Sequence, residues 1–170
     1  SLGGLRDLYN DGHLSIIQNV GYPDQDYSHF RSTDIWMTAA DHDEILSSGW
    51  MGRYLNQEYP NFPIDYPNDI MPDPLAIQIG YNLSLAFQGP ASAMGMVVGD
   101  PNWFYSLVDD VEEQAQDTLS GEKLAYIRLI TKQSQVYGQV IKKAAGRVTT
   151  QNNYPTNNAL AEQLRIVAKL

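Results

Sequence analysis

The feature that most limits the fold of this chain is a dense group of prolines near its middle. The five prolines fall between positions 60 and 74 and are Pro60, Pro63, Pro67, Pro72 and Pro74. Each removes a backbone N–H and disfavours the helical conformation of the residue before it, so no regular helix runs through this stretch. We therefore predict a long loop over residues 60–74, with folded elements on both sides of it.

Aromatic and acidic side chains give the proline-rich loop two possible roles. The rings are Tyr59, Phe62 and Tyr66, and the acids are Asp65, Asp69 and Asp73. They either hold the loop against the core or line a groove, and we favour packing on the core.

Hydrophobic spacing before the loop predicts a short helix near residues 2–9 that ends at Gly12, then a buried strand over residues 14–20. A helix over residues 28–40 should bury Trp36. A further helix through residues 50–55 should be capped by Ser47 or Ser48 and end before Pro60.

Alternating apolar residues after the loop predict a β-hairpin from residues 75–79 and 83–88, followed by a short strand near 94–98. Asp100 and Pro101 are typical of a helix start. The clearest element is a long helix over residues 121–145 capped by Ser120, in which Gln133 interrupts an apolar stripe. A last helix should begin at 156–158. These elements predict one α/β domain over residues 1–170, with more helix than strand.

Composition excludes several functional classes. The chain has no cysteine, so disulfides, thiolate metal sites and cysteine nucleophiles are absent. Its formal charge of -9 repels nucleic-acid backbones and anionic membranes. No apolar run has the roughly 18 residues that a membrane span needs. We therefore expect neither nucleic-acid binding nor a membrane span.

The candidate binding residues are Ser28, His29 and Arg31, which stand where a loop enters a helix. Free N–H groups and the positive end of the helix dipole favour an anionic ligand at such a position, and His29 and Arg31 would reinforce it. In the alternative interpretation Ser28 only caps the helix, His29 is a structural histidine and Arg31 pairs with an acid. No catalytic or metal-ligating residue is assigned, because the acidic turn at residues 41–44 is more typical of a solvated surface.

Several motifs resemble a large bacterial family, the domain-of-unknown-function family 1501. In chain order these motifs are LYNDG at 8–12, VGYP at 20–23, SHFRS at 28–32, DIW at 34–36, GWMGRYL at 49–55, PLAI at 74–77, QGP at 88–90 and YP at 154–155. The family's fold is similar to that of the alkaline phosphatase and sulfatase superfamily. The resemblance therefore implies a helix-rich, middle fragment of such a fold, with a short sheet and a hairpin.

The resemblance also implies an exported metallohydrolase-like protein acting on phosphate or sulfate esters, located in the periplasm or at the cell surface. The segments that hold divalent metals in that superfamily do not occur here, so we expect this chain to hydrolyse nothing. The alternative is a non-catalytic binding or surface-assembly module on the same scaffold. Expected partners are an anionic small molecule or a saccharide, and helices without partners favour self-association.

Overall fold

The computed structural model describes residues 2–99, 118–148 and 153–170. Its helices are α1 Gly3–Asn10, α2 His29–Thr38, α3 Trp50–Glu58, a 3₁₀ helix Leu85–Phe87, α4 Leu119–Ala145 and α5 Ala159–Val167, and its strands are β1 Ile77–Ile79 and β2 Met96–Val98. The mixture of helices with a short parallel sheet confirms the α/β class. The helix start predicted at residues 100–101 lies outside the described residues.

Local capping signals explain most helix boundaries. Gly12 adopts a positive φ of 77° just after α1, as a helix stop requires. Asn158 caps α5 by accepting a hydrogen bond from the N–H of Ala161 at 3.0 Å. The long helix begins two residues before the predicted start, because the Thr118 hydroxyl, and not Ser120, accepts from the N–H of Gly121.

The predicted hairpin is wrong. β1 pairs in parallel with β2, in a register that places Ile77 opposite Met96. Residues 85–87 form the 3₁₀ helix because the Ser84 hydroxyl accepts from the N–H of Ala86 at 3.1 Å. The alternating apolar residues at 83–88 therefore pack against helices α2 and α3 and do not form a strand. The strand predicted near residues 94–98 is β2, the partner of β1.

The predicted strand at residues 14–20 is also wrong. The segment is irregular, Ile17 is 81% exposed, and Ile16 and Val20 are exposed as well. Asn19 has a φ of 57°, which breaks an extended run, and within the described ranges the segment has no neighbouring strand with which to pair. Its β-branched residues therefore lie on the surface.

Helix α3 packs very closely on the backbone of residues 85–89. The N–H of Gly49 donates to the Gln88 carbonyl at 2.8 Å, and a Cβ atom on Gly52 would lie 2.3 Å from the same peptide group. Gly49 is also the N-cap of α3, so the predicted caps Ser47 and Ser48 are wrong. Only glycine permits this approach. Helix α2 contacts the same 3₁₀ helix, which gives the N-terminal half a shared core.

The proline-rich loop packs on α4, as favoured above. The side-chain amide of Gln133 is buried and donates to the carbonyls of Pro63 at 2.7 Å and Tyr66 at 2.6 Å. The rings of Phe62 and Tyr59 both lie about 6 Å from the Tyr66 ring. The one polar residue in the predicted apolar stripe of α4 is therefore its contact with the loop.

Among the described residues, few hydrophobic side chains are buried compared with those that are exposed. The buried ones in these ranges are Ile35, Ala40, Leu55, Ala86, Met94, Val98, Tyr137, Ile141 and Ala161. Leu5 and Leu8 of α1, and Leu160 and Leu164 of α5, are exposed. Within the described residues, no helix combines the length and apolar character that crossing a membrane requires.

Candidate functional site

Ser28 caps helix α2. Its backbone is extended, and its hydroxyl accepts a hydrogen bond from the N–H of Arg31 at 3.3 Å. The N–H of Ser28 donates to the carboxylate of Asp26 at 2.9 Å. This arrangement satisfies one of the free donors at the helix start and fixes the entry of the loop. Ser28 therefore has the structural role described in the alternative interpretation.

Arg31 is held by backbone carbonyls. Its Nε donates to the carbonyl of His42 at 3.2 Å, and its Nη2 donates to the carbonyls of Asp41 and His42, each at 2.9 Å. Nη2 also donates to the carbonyl of Glu44. These bonds fasten the start of α2 to the turn that follows it, and the partners are carbonyls and not the expected carboxylates. Most of the guanidinium's donor capacity is therefore spent within the chain.

His29 is exposed on the first turn of α2. Its carbonyl accepts from the Thr33 hydroxyl at 2.8 Å, but the part of the chain that the structure describes gives its imidazole no hydrogen-bond partner. As a structural histidine, His29 was predicted to hydrogen-bond with polar groups of the loop or the helix start, and no such bond of its ring is found among the described residues. Ser28 and Arg31 are in contact, but the three candidate side chains do not converge on one ligand position.

Arg53 is a structural residue that the sequence did not reveal. Its Nη2 donates to the carbonyl of Thr38 at 2.6 Å, and its Nη1 donates to the carbonyl of Ser48 at 2.7 Å. The first bond satisfies an unpaired carbonyl at the C-terminal end of α2 and ties α3 to it. Thr38 lies at the end of another helix, and Ser48 precedes the N-cap of α3, so no local helical motif predicts the two contacts.

An aromatic cleft of about 550 Å³ lies beside these residues, between the loop before α2, α2 itself and the start of α3. Its lining residues are Val20, Gly21, Tyr22, Gln25, Ser32, Ile35, Trp36, Ala39 and Trp50. None of these side chains is charged at neutral pH. The polar groups among them are the side chains of Tyr22, Gln25 and Ser32 and the indole N–H groups of the two tryptophans. The other side chains that line the cleft are apolar.

Both indoles that line the cleft are exposed. Trp36 is 68% exposed and Trp50 is 45% exposed. The predicted burial of Trp36 is therefore wrong. The inward face of α2 consists of Ile35 and Thr38, three positions apart, and Trp36 lies about 100° around the helix from Ile35. Trp36 and Trp50 line the same cleft, and apolar groups exposed together are more typical of an interaction site than single ones.

Polar groups at the cleft are neutral and already ordered. The hydroxyls of Tyr22 and Ser32 lie 2.9 Å apart in a hydrogen bond. That bond joins the loop to α2 and leaves each oxygen with further hydrogen-bonding capacity. Gln25 adds an amide with both donors and acceptors. The cleft therefore combines apolar ring surfaces with neutral groups suited to hydroxyl ligands.

A cation has no prepared site at the acidic turn of residues 41–44. Three carbonyls of that turn already accept from the positively charged Arg31, which would repel a metal ion. His42 lies 3.9 Å from the carboxylate of Asp24. Within the described ranges, no group of three or more His, Asp or Glu side chains comes together as metal ligands would.

Comparison with known proteins gives this chain no relative. No protein-family model matches it, and no curated protein sequence or solved structure matches it either. The family, the superfamily fold and the activity implied by the sequence motifs therefore remain predictions.

Proposed function

We propose that this chain is a non-catalytic binding module whose aromatic cleft takes a neutral saccharide. The observation that carries the proposal is an uncharged cleft with two exposed indoles beside the Tyr22 and Ser32 hydroxyls. A sugar ring has an apolar face that stacks on an indole and hydroxyls at its edge that bond to neutral polar groups. The cleft presents both kinds of surface.

Size and charge favour this ligand class over the anion expected from sequence. The cleft volume of about 550 Å³ lies within the roughly 300–1,000 Å³ of typical small-molecule sites. The guanidinium of Arg31 donates to backbone carbonyls, and the chain's formal charge of -9 repels anions at long range. A neutral ring ligand needs no free cation and is not repelled by the negative charge of the chain.

Calorimetric titration with matched neutral and anionic disaccharides tests the proposal. We expect a neutral disaccharide to bind and Trp36→Ala or Trp50→Ala to weaken binding about tenfold or more, because a stacked aromatic anchor is lost. Phe30→Ala is the matched control, since Phe30 lies on the same helix, is 88% exposed and does not line the cleft. Stronger binding of the anionic sugar, or an equal effect of all three variants, would contradict the proposal.

The metallohydrolase function implied by the sequence resemblance stays a separate prediction, as do the alkaline phosphatase-like fold and the periplasmic or cell-surface location. We expect no turnover of phosphate or sulfate esters by this chain with added zinc, calcium or manganese. The reason is that its sequence lacks the segments expected to hold the metals. An ester panel tests the activity, and cell fractionation tests the location.

A further inference from the structure

A second cavity, of about 540 Å³, lies at the C-terminal end of helix α4. Its walls come from the end of the proline-rich loop, from β1 and from the last turns of α4, and Leu170 completes the lining. No lining residue is shared with the aromatic cleft. The volume lies within the roughly 300–1,000 Å³ of typical small-molecule sites. This space is therefore a separate candidate site, called the basic cavity after its two cations, Lys143 and Arg147.

The walls of the basic cavity are mainly aliphatic. Its apolar lining residues include Pro72, Ile77, Val140, Ile141 and Ala144. Ile141 is only 2% exposed, so this wall continues into the buried core. Among the described residues, none of those that line the cavity is aromatic, in contrast to the aromatic cleft. The walls therefore suit a flexible hydrocarbon chain better than a sugar ring, which needs a flat surface on which to stack.

Lys143 and Arg147 bring two positive charges to this lining. Both side chains are exposed, and within the described ranges neither has an ion-pair partner. Each has a long, flexible stem, so its charged end is free to turn toward the mouth of the cavity. Asp73 is the one acidic side chain in the lining, and it is exposed and pairs with neither cation. The side chains of the lining therefore carry a net positive charge.

The spacing of the two cations favours an anion between them. Lys143 and Arg147 lie four positions apart, about one helical turn, and like charges at this spacing repel each other. An anion bound between them removes that cost. Lys143 also complements the partial negative charge at the end of α4, but Arg147 lies beyond the last helical residue, Ala145. Helix-end electrostatics therefore account for Lys143 and not for Arg147.

We propose that the basic cavity binds an aliphatic carboxylate, with its hydrocarbon chain against the aliphatic wall and its carboxylate at Lys143 and Arg147. Removal of the chain from water supplies the driving force, and charge-assisted hydrogen bonds to the two cations fix the orientation. An uncharged apolar ligand would leave both cations without a partner. The chain's formal charge of -9 is screened beyond about 8 Å at physiological salt, whereas these cations lie at the site itself.

Octanoate and octanol have the same chain length and differ in charge, so together they test the inference. Affinities are measured by nuclear magnetic resonance titration for the wild type and for the double variant Lys143→Met with Arg147→Met, which keeps long side chains without charge. We expect the variant to lose about tenfold or more in affinity for octanoate and nothing for octanol. Lys123→Met is the matched control, because Lys123 lies on the same helix, is exposed and does not line the cavity. It should leave both affinities unchanged.

Methyl signals of Ile77 and Ile141 locate the bound octanoate, because both residues line the basic cavity and neither lines the aromatic cleft. They should shift during the titration, whereas the indole signals of Trp36 and Trp50 should not. Failure of this proposal and failure of saccharide binding are therefore seen in different signals. No binding of octanoate to the wild type, an equal effect of the double variant on both probes, or unmoved methyl signals at saturation would overturn the proposal.

Discussion

Replacing Gly52 by alanine tests the packing on which the N-terminal half depends. The added Cβ atom would lie 2.3 Å from the carbonyl carbon and oxygen of Gln88 and 2.6 Å from the nitrogen of Gly89. All three are backbone atoms, so no side-chain rotation relieves the overlap. Normal carbon contacts are about 3.5 Å or longer, which requires α3 to move away by roughly 1.2 Å.

The expected loss of stability is large for a single methyl group. Overpacking of this kind costs about 3 kcal/mol, the upper part of its usual range, because the obstacle is backbone. Alanine recovers about 1 kcal/mol through its higher helix propensity than glycine. The net expectation for Gly52→Ala is therefore a loss of about 2 kcal/mol in the free energy of unfolding.

Gly4→Ala is the matched control, because Gly4 also lies within a helix but has no heavy atom within 4 Å of an added Cβ. That variant should gain about 0.5–1 kcal/mol. Urea denaturation followed by circular dichroism measures both, with unfolding free energies compared at equal slope. If Gly52→Ala proved as stable as Gly4→Ala, the close packing of α3 on residues 85–89 would be refuted.

Three further predictions concern the hydrogen bonds of Arg53, the buried phenol of Tyr137 and the exposed apolar surface. Arg53→Met should lower the free energy of unfolding by about 1–3 kcal/mol, measured by chemical denaturation, because it leaves backbone carbonyls unpaired. The control Arg165→Met should lower it by under about 1 kcal/mol, because it breaks only an exposed ion pair with Glu162. Equal losses in the two variants would refute the structural role of Arg53. The pKa of Tyr137 is about 12 in the folded chain and 10.0 without burial, so the unfolded chain releases the proton first. The contribution of Tyr137 to stability should therefore be constant below pH 10 and fall by about 2–3 kcal/mol between pH 10 and 12. Tyr137→Phe should remove that part of the alkaline fall, and an equal loss of stability in the variant and the wild type over this pH range would contradict the prediction. Light scattering should show concentration-dependent self-association driven by side chains such as Leu160, and a monomer at all concentrations would contradict it.

Sequence reasoning succeeded where the signal was local. The stop at Gly12, the start of the last helix near residues 156–158 and the possible cap at Ser28 each depend on residues within one helical turn. The prolines likewise predicted the long loop, because the restriction acts on each proline and its neighbour. Such features need no knowledge of which elements meet in space.

Errors arose where long-range contacts decide the outcome. The β-branched residues at 14–20 looked like a strand, but a strand needs a partner, and Asn19 interrupts the run. Ser84 turned an alternating segment into a 3₁₀ helix that packs against Gly49. Arg31 was given two possible roles, reinforcing an anion site or pairing with an acid, and its observed partners are backbone carbonyls of the turn that follows α2. Trp36 was assigned to the core by helical spacing, which does not define which side of a helix meets its neighbours.

The most direct test of neutral-saccharide binding follows the indole N–H resonances of the chain during titration with a neutral disaccharide. Trp36→Phe and Trp50→Phe variants assign the two signals of the cleft. If the sugar occupies the cleft and contacts both α2 and the start of α3, both signals shift together and give one dissociation constant that agrees with calorimetry. Unmoved signals for Trp36 and Trp50 at saturating sugar, or a shift only with the anionic disaccharide, would contradict the proposed function.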